Sequence, residues 1–426
     1  MKRIKCDRII LEDRILDGYI YFKNSKIMDV TSADYPVSEE YDMTGLYVCP
    51  GFIDMHTHGG AGLGADGASL SELDEMSRFY AESGVAEFCA TTVTDSVDNL
   101  IVAEKRIAER IRLGTSGANI AGIYLEGPFL SHQYKGAHEE SLLALPTKAD
   151  VDRLYEAGKG HLCVLAIAPE LPGAPDVIEY AVSKGIKVSC GHSAATAEEA
   201  NAGFDAGASI AIHTYNCMPG LHHREPGILG ASLVRDDAYG EIICDFLHVA
   251  PEPVKIAIRC KGKDKIVFIT DSIAAAGLPD GEHMSGPLPI IVKDGVARTH
   301  GGNLAGSSLR TNEALRNVVK TLAIPLEDAM LGVTKNPAEA LGMYDKFGSI
   351  DVGKRAHLTV LDDDFNVVMT IVEIINKKKN HKELTKKEIE SAKQQLKGNF
   401  LLGLENTTSL MSYGGKSECL WNEIET

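Results

Sequence analysis

Apolar residues along the chain gather into eight short runs: 51–56 (GFIDMH), 86–92 (AEFCATT), 120–125 (IAGIYL), 162–168 (LCVLAIA), 186–190 (IKVSC), 208–212 (ASIAI), 241–247 (EIICDFL) and 265–269 (KIVFI). Runs this short and this apolar have the length of a strand buried on both faces rather than of a helix. Between them the pattern changes to an amphipathic period near 3.6 residues, as in 69–84 (SLSELDEMSRFYAESG), 97–114 (VDNLIVAEKRIAERIRLG) and 196–207 (TAEEANAGFDAG). Strands alternating with helices in this way predict an α/β fold, a (β/α)8 TIM barrel. The rival is a doubly wound open sheet. Its dinucleotide-binding form has no support, because no G-x-G-x-x-G follows the first run.

The two ends of this region read differently. Residues 1–49 hold short β-rich runs separated by Asp-Gly and Asn-Ser turn signals, and 348–374 returns to the same rhythm. Together they predict a small β-sandwich domain beside a barrel at 50–347. Within the barrel region, Asp294-Gly295 between apolar runs predicts an inserted hairpin ahead of a last helix at 308–323. Residues 375–426 begin with a lysine run at 377–379 that reads as a linker, and they predict an atypical helical tail.

Composition narrows the function. The chain has 426 residues, 60 acidic and 43 basic, for a formal charge of −17. That excludes general binding to nucleic acid or to anionic membranes, which needs a basic face. The nine cysteines are scattered and none forms C-x-x-C, so neither a disulfide framework nor a thiolate zinc site is suggested. The opening MKRIKCDRII has no apolar signal-peptide core, and no apolar run is long enough to span a bilayer. The expectation is a reduced, soluble, cytoplasmic protein.

The chemistry lies in what ends each run. Run one ends in His56 and His58, which a strand projects to one face. Run three ends in Glu126, run five in His192, run six in His213 and run eight in Asp271. Taken singly, each is an ordinary polar residue at a strand end; Glu126 could cap a turn and Asp271 a helix. Taken together, four histidines and two carboxylates end five of eight strands, at the face where barrel enzymes place their chemistry. Nitrogen and carboxylate donors suit zinc, iron or a similar ion. Such an ion activates water and polarises a carbonyl, and Asp271 would shuttle the proton. The set points to hydrolysis of an amide, an ester or a related C–N bond.

The motifs PGFIDMHTHGG (50–60), LEGPF (125–129), KGAH (135–138), GHSAAT (191–196), HTYNCMPGLHHREPG (213–227), ITDSIAAAG (269–277), LAGSSL (304–309) and NPAEALG (336–342) resemble, in order, those of the amidohydrolase superfamily and its N-acetylglucosamine-6-phosphate deacetylases. The resemblance covers residues 1–372. It implies metal-dependent hydrolysis of N-acetyl-D-glucosamine 6-phosphate to glucosamine 6-phosphate and acetate. The alternatives are another N-acyl substrate, or an inactive sugar-phosphate-binding protein. The resemblance implies Glu126, His192 and His213 as main metal ligands, with His56 and His58 holding a second ion that Glu126 bridges. One or two divalent ions, zinc or iron, would then be bound per subunit. Asp271 would be the acid/base, and His138 would contact the sugar and the reacting carbonyl. Asn216, the backbone at Cys217, Arg224 and His248 would form the phosphate site. In the family that arginine comes from a neighbouring subunit, which implies a homodimer. Run four ends LAIAPE without a lysine, which argues against relatives that bridge two ions with a carboxylated lysine.

Three features depart from the family pattern. Cys217 stands where alanine is usual, and Phe246 where glycine is usual, close enough to His248 to disturb it. After Val372 the resemblance stops: a closing strand is missing, which would leave an edge unpaired. The tail at 383–416 instead resembles a helical segment of insulinase-like and processing-peptidase-like zinc peptidases, without their H-x-x-E-H.

Overall fold

The computed structural model describes residues 1–285, 288–302, 304 and 306–372. The sequence readings for 375–426 lie outside the described residues.

All eight apolar runs are strands of one parallel sheet: β1 (Phe52–Thr57), β2 (Val85–Thr92), β3 (Asn119–Phe129), β4 (Leu162–Ile167), β5 (Lys187–Cys190), β6 (Ile210–Ala211), β7 (Tyr239–Ile243) and β8 (Ile266–Ile269). They pair in chain order, each with the next, as a barrel requires. The run at 241–247 stops being strand after Ile243, and the rest turns into a loop.

The seam between β8 and β1 is closed in three ways. The Asp271 N–H donates to the His56 carbonyl at 3.0 Å, and the segment after helix Leu326–Leu331 bridges the rest, with Ile53 N–H on Val333 O and Phe268 N–H on Gly332 O. Asp54 adds a side-chain clasp: its carboxylate accepts from the Thr270 hydroxyl at 2.5 Å and the Thr270 N–H at 3.3 Å. Burial outweighs those bonds and pushes the Asp54 carboxyl up to about 7.

The helices follow the predicted segments. Leu70–Glu82 and Ala197–Asp205 each begin with a capping box, Ser69 with Glu72 and Thr196 with Glu199. Helix Val97–Leu113 turns Leu100, Ala103 and Ile107 to the barrel. It also buries Glu104, whose two carboxylate oxygens find no partner. Burial alone lifts this carboxyl to about 9. Between pH ~4.5 and ~9 the folded chain therefore holds a proton that the unfolded chain has lost, so stability falls as pH rises through that window. Glu104→Gln is expected to make the slope shallower by the share of this carboxyl, and to stabilise the fold by about 2 kcal/mol at pH 7. Denaturant unfolding of both proteins across pH checks this. Equal slopes would contradict it.

The small domain unites the two ends of the region in one seven-stranded sheet. Strand Lys2–Ile10 runs antiparallel to Ile15–Lys23, which pairs with Lys26–Thr31. Tyr47–Pro50 then meets Leu358–Leu361, with Val48 opposite Val360. Ile4, Ile9, Ile20, Ile27, Val48, Leu358 and Val360 form a core separate from that of the barrel. Among the described residues, Val367–Ile371 is an edge strand of this sheet. The predicted hairpin is present: Leu288–Lys293 and Val296–Thr299 pair across Asp294-Gly295, both at positive φ (53° and 73°), as a two-residue primed turn needs.

Candidate metal centre

The strand ends bring six polar side chains to one point. His56 lies within β1 and His58 just beyond it, Glu126 lies within β3, and His192, His213 and Asp271 each lie two residues past β5, β6 and β8. The three turn residues hold left-handed backbone, at φ 44°, 23° and 50°. Non-glycine residues pay strain for that conformation, and such strain clusters where geometry is dictated by function.

Their ligand atoms form two groups that share Glu126. Glu126 Oε1 faces His213 Nε2 at 2.9 Å and His192 Nε2 at 3.1 Å, and the two imidazole nitrogens are 3.0 Å apart. Glu126 Oε2 faces His58 Nε2 at 2.9 Å and His56 Nε2 at 3.7 Å. Asp271 Oδ1 completes that second group, 3.2 Å from His58 Nε2 and 3.5 Å from His56 Nε2. A four-coordinate ion with bonds of about 2.0–2.1 Å separates its ligand atoms by roughly 3.3 Å. Both groups are close to that spacing. Buried imidazole nitrogens crowded nose to nose around a carboxylate suit a cation better than one another, so the residues fit one or two divalent ions.

Electrostatics agree. Burial lowers the histidines, yet their neighbours outweigh it: Glu126 and Asp271 raise His58 to about 9, the Cys217 thiol and then Glu126 raise His192 to about 10, and Glu241 and Glu126 raise His56 well above its usual value. Burial would raise Glu126 and Asp271, but the neighbouring histidines hold both carboxyls below their ordinary values. A divalent ion would replace those imidazole protons, so uptake of the ion releases protons and tightens as pH rises.

His138 differs. Its Nδ1 accepts the Thr94 N–H at 3.2 Å, which leaves the ring proton on Nε2. Nε2 points at the cluster, 3.6 Å from Glu126 Oε2. Burial and the neighbouring histidines depress the ring to about 3, so it is a neutral N–H donor. Gly136 makes this loop possible. It sits at φ 59°, and a Cβ there would lie 2.7 Å from Cys217 Sγ and 3.1 Å from His192 Cε1.

The remaining predicted residues are spread outwards. Asn216 and Cys217 follow His213, with Asn216 donating to the His213 carbonyl through both its backbone N–H (2.9 Å) and its side chain (3.3 Å). His248 lies on the loop after β7, with Nδ1 2.6 Å from Asp245. Burial opposes it, but Asp245 raises this histidine and favours its cation. Phe246 sits at φ 62°, the conformation glycine prefers. Asp245 also accepts the backbone N–H groups of Leu247 and His248, which ties the loop down around Phe246. Arg224 is not brought to the cluster of its own chain: it lies on the exposed stretch 220–225.

Three positions escaped the sequence reading. Glu241, inside β7, places Oε2 2.9 Å from His56 Nδ1. Thr94, two residues past β2, holds His138 and packs where Gly127, at φ 107°, leaves no room for a Cβ. Glu170 braces the loop after His192 through Ser193 and the Ala194 N–H. Of the three, only Glu241 carried a legible signal, a charged residue in an apolar run.

The chain matches the amidohydrolase family over residues 47–401, and it belongs to that family. It is 38% identical to the N-acetylgalactosamine-6-phosphate deacetylase of Escherichia coli O157:H7, over 83% of this chain and 91% of the relative. It is 39% identical to the N-acetylglucosamine-6-phosphate deacetylase of Vibrio furnissii, over 76% and 81%. Its structure superposes with TM-score 0.82 and 31% identity on a mutant of the Mycobacterium smegmatis N-acetyl-D-glucosamine-6-phosphate deacetylase in complex with N-acetyl-D-glucosamine-6-phosphate, covering 87% of this chain and 97% of that one. Among the described residues, no helix is long and apolar enough to cross a membrane.

Proposed function

We propose that this chain hydrolyses N-acetyl-D-glucosamine 6-phosphate to D-glucosamine 6-phosphate and acetate, in amino-sugar catabolism. The observation that carries the reading is the pair of ligand groups sharing Glu126, with Asp271 and the His138 Nε2–H facing the same point. The deacetylase relatives support the substrate.

Glu126, His192 and His213 would hold one ion, and His56, His58, Glu126 and Asp271 a second; zinc and iron both suit these donors. When bound, the ion supplies Lewis acidity, lowering the pKa of water and polarising the amide carbonyl. Asp271, held ionised, takes a proton from the attacking water as the new C–O bond forms. His138 donates its Nε2–H to the carbonyl oxygen, where charge develops. Asp271 then returns the proton to the leaving nitrogen as the C–N bond breaks, giving the free amine and acetate.

His248 as a cation, Asn216 and the backbone at Cys217 would receive the phosphate, with Arg224 completing the site. Arg224 is exposed, which is what an arm reaching into the second subunit of a homodimer requires. Arg224→Ala is expected to raise KM for the phosphorylated sugar about tenfold or more with a smaller change in kcat, consistent with loss of a bidentate phosphate contact. Steady-state kinetics check it, and equal losses on phosphorylated and unphosphorylated sugars would contradict it. The same chemistry would operate in the cytoplasm, where sugar phosphates occur.

A second reading, N-acetylgalactosamine 6-phosphate as substrate, is favoured by the Escherichia coli relative. Acetate release from both epimers and from unphosphorylated N-acetylglucosamine tests the proposal. Preference for the glucosamine phosphate supports it, preference for the 4-epimer selects the second reading, and indifference to phosphate contradicts both.

A further inference from the structure

We propose that Glu241 is a positioning residue that governs occupancy of the His56–His58–Glu126–Asp271 ion subsite, acting through the Nδ1 of His56. This rests on the two-subsite reading above. Glu241 is fully buried inside β7, in the barrel wall beneath the centre. Its Oε2 lies 2.9 Å from His56 Nδ1 and also accepts the His213 backbone N–H at 3.3 Å. Oε1 has no partner.

A carboxylate so placed has a definite chemical consequence. It accepts only when His56 carries its proton on Nδ1, and that leaves Nε2, the atom facing Glu126, His58 and Asp271, free to ligate. The charge of the carboxylate also makes that nitrogen a stronger donor. The second bond fixes the backbone of His213 where φ is 23°. One side chain thus holds a residue from each ligand group. The dependence is unequal, because it meets the ring of His56 but only the main chain of His213. His58 has no such support, since its Nδ1 is unpartnered. Orientation of the H-x-H pair therefore falls on Glu241.

The experiment counts metal, independently of catalysis. Full-length chain is stripped, then equilibrated with zinc over a range of free concentrations, and bound ion per chain is measured by elemental mass spectrometry. The native chain is expected to take up two ions. Glu241→Gln is expected to keep the first and to bind the second at least about tenfold more weakly, because an amide can donate to Nδ1 and drive the ring proton onto Nε2. Glu241→Asp, which keeps the charge but shortens the reach, should fall between, and it carries the test if the glutamine variant does not fold. Combining Glu241→Gln with His56→Ala should weaken the second ion no more than His56→Ala alone. Undiminished second-ion affinity, or equal weakening of both ions, overturns the proposal. A native chain that binds one ion overturns it together with the two-ion reading. Acetate release measured on the same samples shows whether the deacetylase reading survives either result.

Discussion

Asp271→Asn is expected to cut turnover by about 10²-fold or more while the chain keeps metal in the Glu126–His192–His213 group. The argument is geometric first. Asp271 Oδ1 faces both His58 and His56, at 3.2 and 3.5 Å, at the mouth of the barrel, and its side chain is the most exposed of the carboxylates there. It is the group that substrate and water can reach. Burial opposes ionisation, but the neighbouring imidazoles hold its carboxyl below the ordinary value, so it arrives as a base. Asparagine keeps the shape and loses proton transfer. Its amide cannot take a proton from water or return one to nitrogen. Single-turnover acetate release together with metal analysis separates the two effects. Unchanged turnover would remove Asp271 from the proton path, and loss of all metal would make it a ligand above all.

His138→Ala is expected to lower kcat by about 10²- to 10³-fold, the range for removing one donor to a developing oxyanion. The Thr94 N–H on Nδ1 and a ring pKa near 3 make His138 a neutral Nε2–H donor throughout the working pH range. It follows that His138 contributes no limb to the pH profile between about 5 and 9, where an ordinary histidine would titrate. A profile whose neutral limb disappears in the alanine variant would contradict this assignment and make the residue a proton carrier.

The eight strands were legible because each is a short apolar run, and the candidate ligands because each lies within three residues of a strand end. Those signals are local. What was not legible depends on pairing across the barrel. Glu241 reads as a charged residue opening the run EIICDFL, and only closure of the barrel, with β7 two strands away from β1, brings it to His56. Thr94 and Glu170 likewise gain their roles from loops that meet in space. The left-handed backbone at His192, His213 and Asp271 has no sequence signal, since none is glycine. Phe246 shows the converse. The sequence marked the missing glycine, but the Asp245 side chain that holds the loop regardless becomes visible only in three dimensions. Arg224 belongs to a third kind, an exposed residue whose proposed role would depend on a second chain.

The central claim is that the Glu126-centred cluster is a metal centre for amide hydrolysis. The most direct measurement is acetate release from N-acetyl-D-glucosamine 6-phosphate by the full-length chain, stripped of metal and then resupplied with zinc or iron. Activity lost on stripping and regained with the ion is the predicted result. A folded, metal-loaded chain that releases no acetate, or a stripped chain that stays fully active, would contradict it.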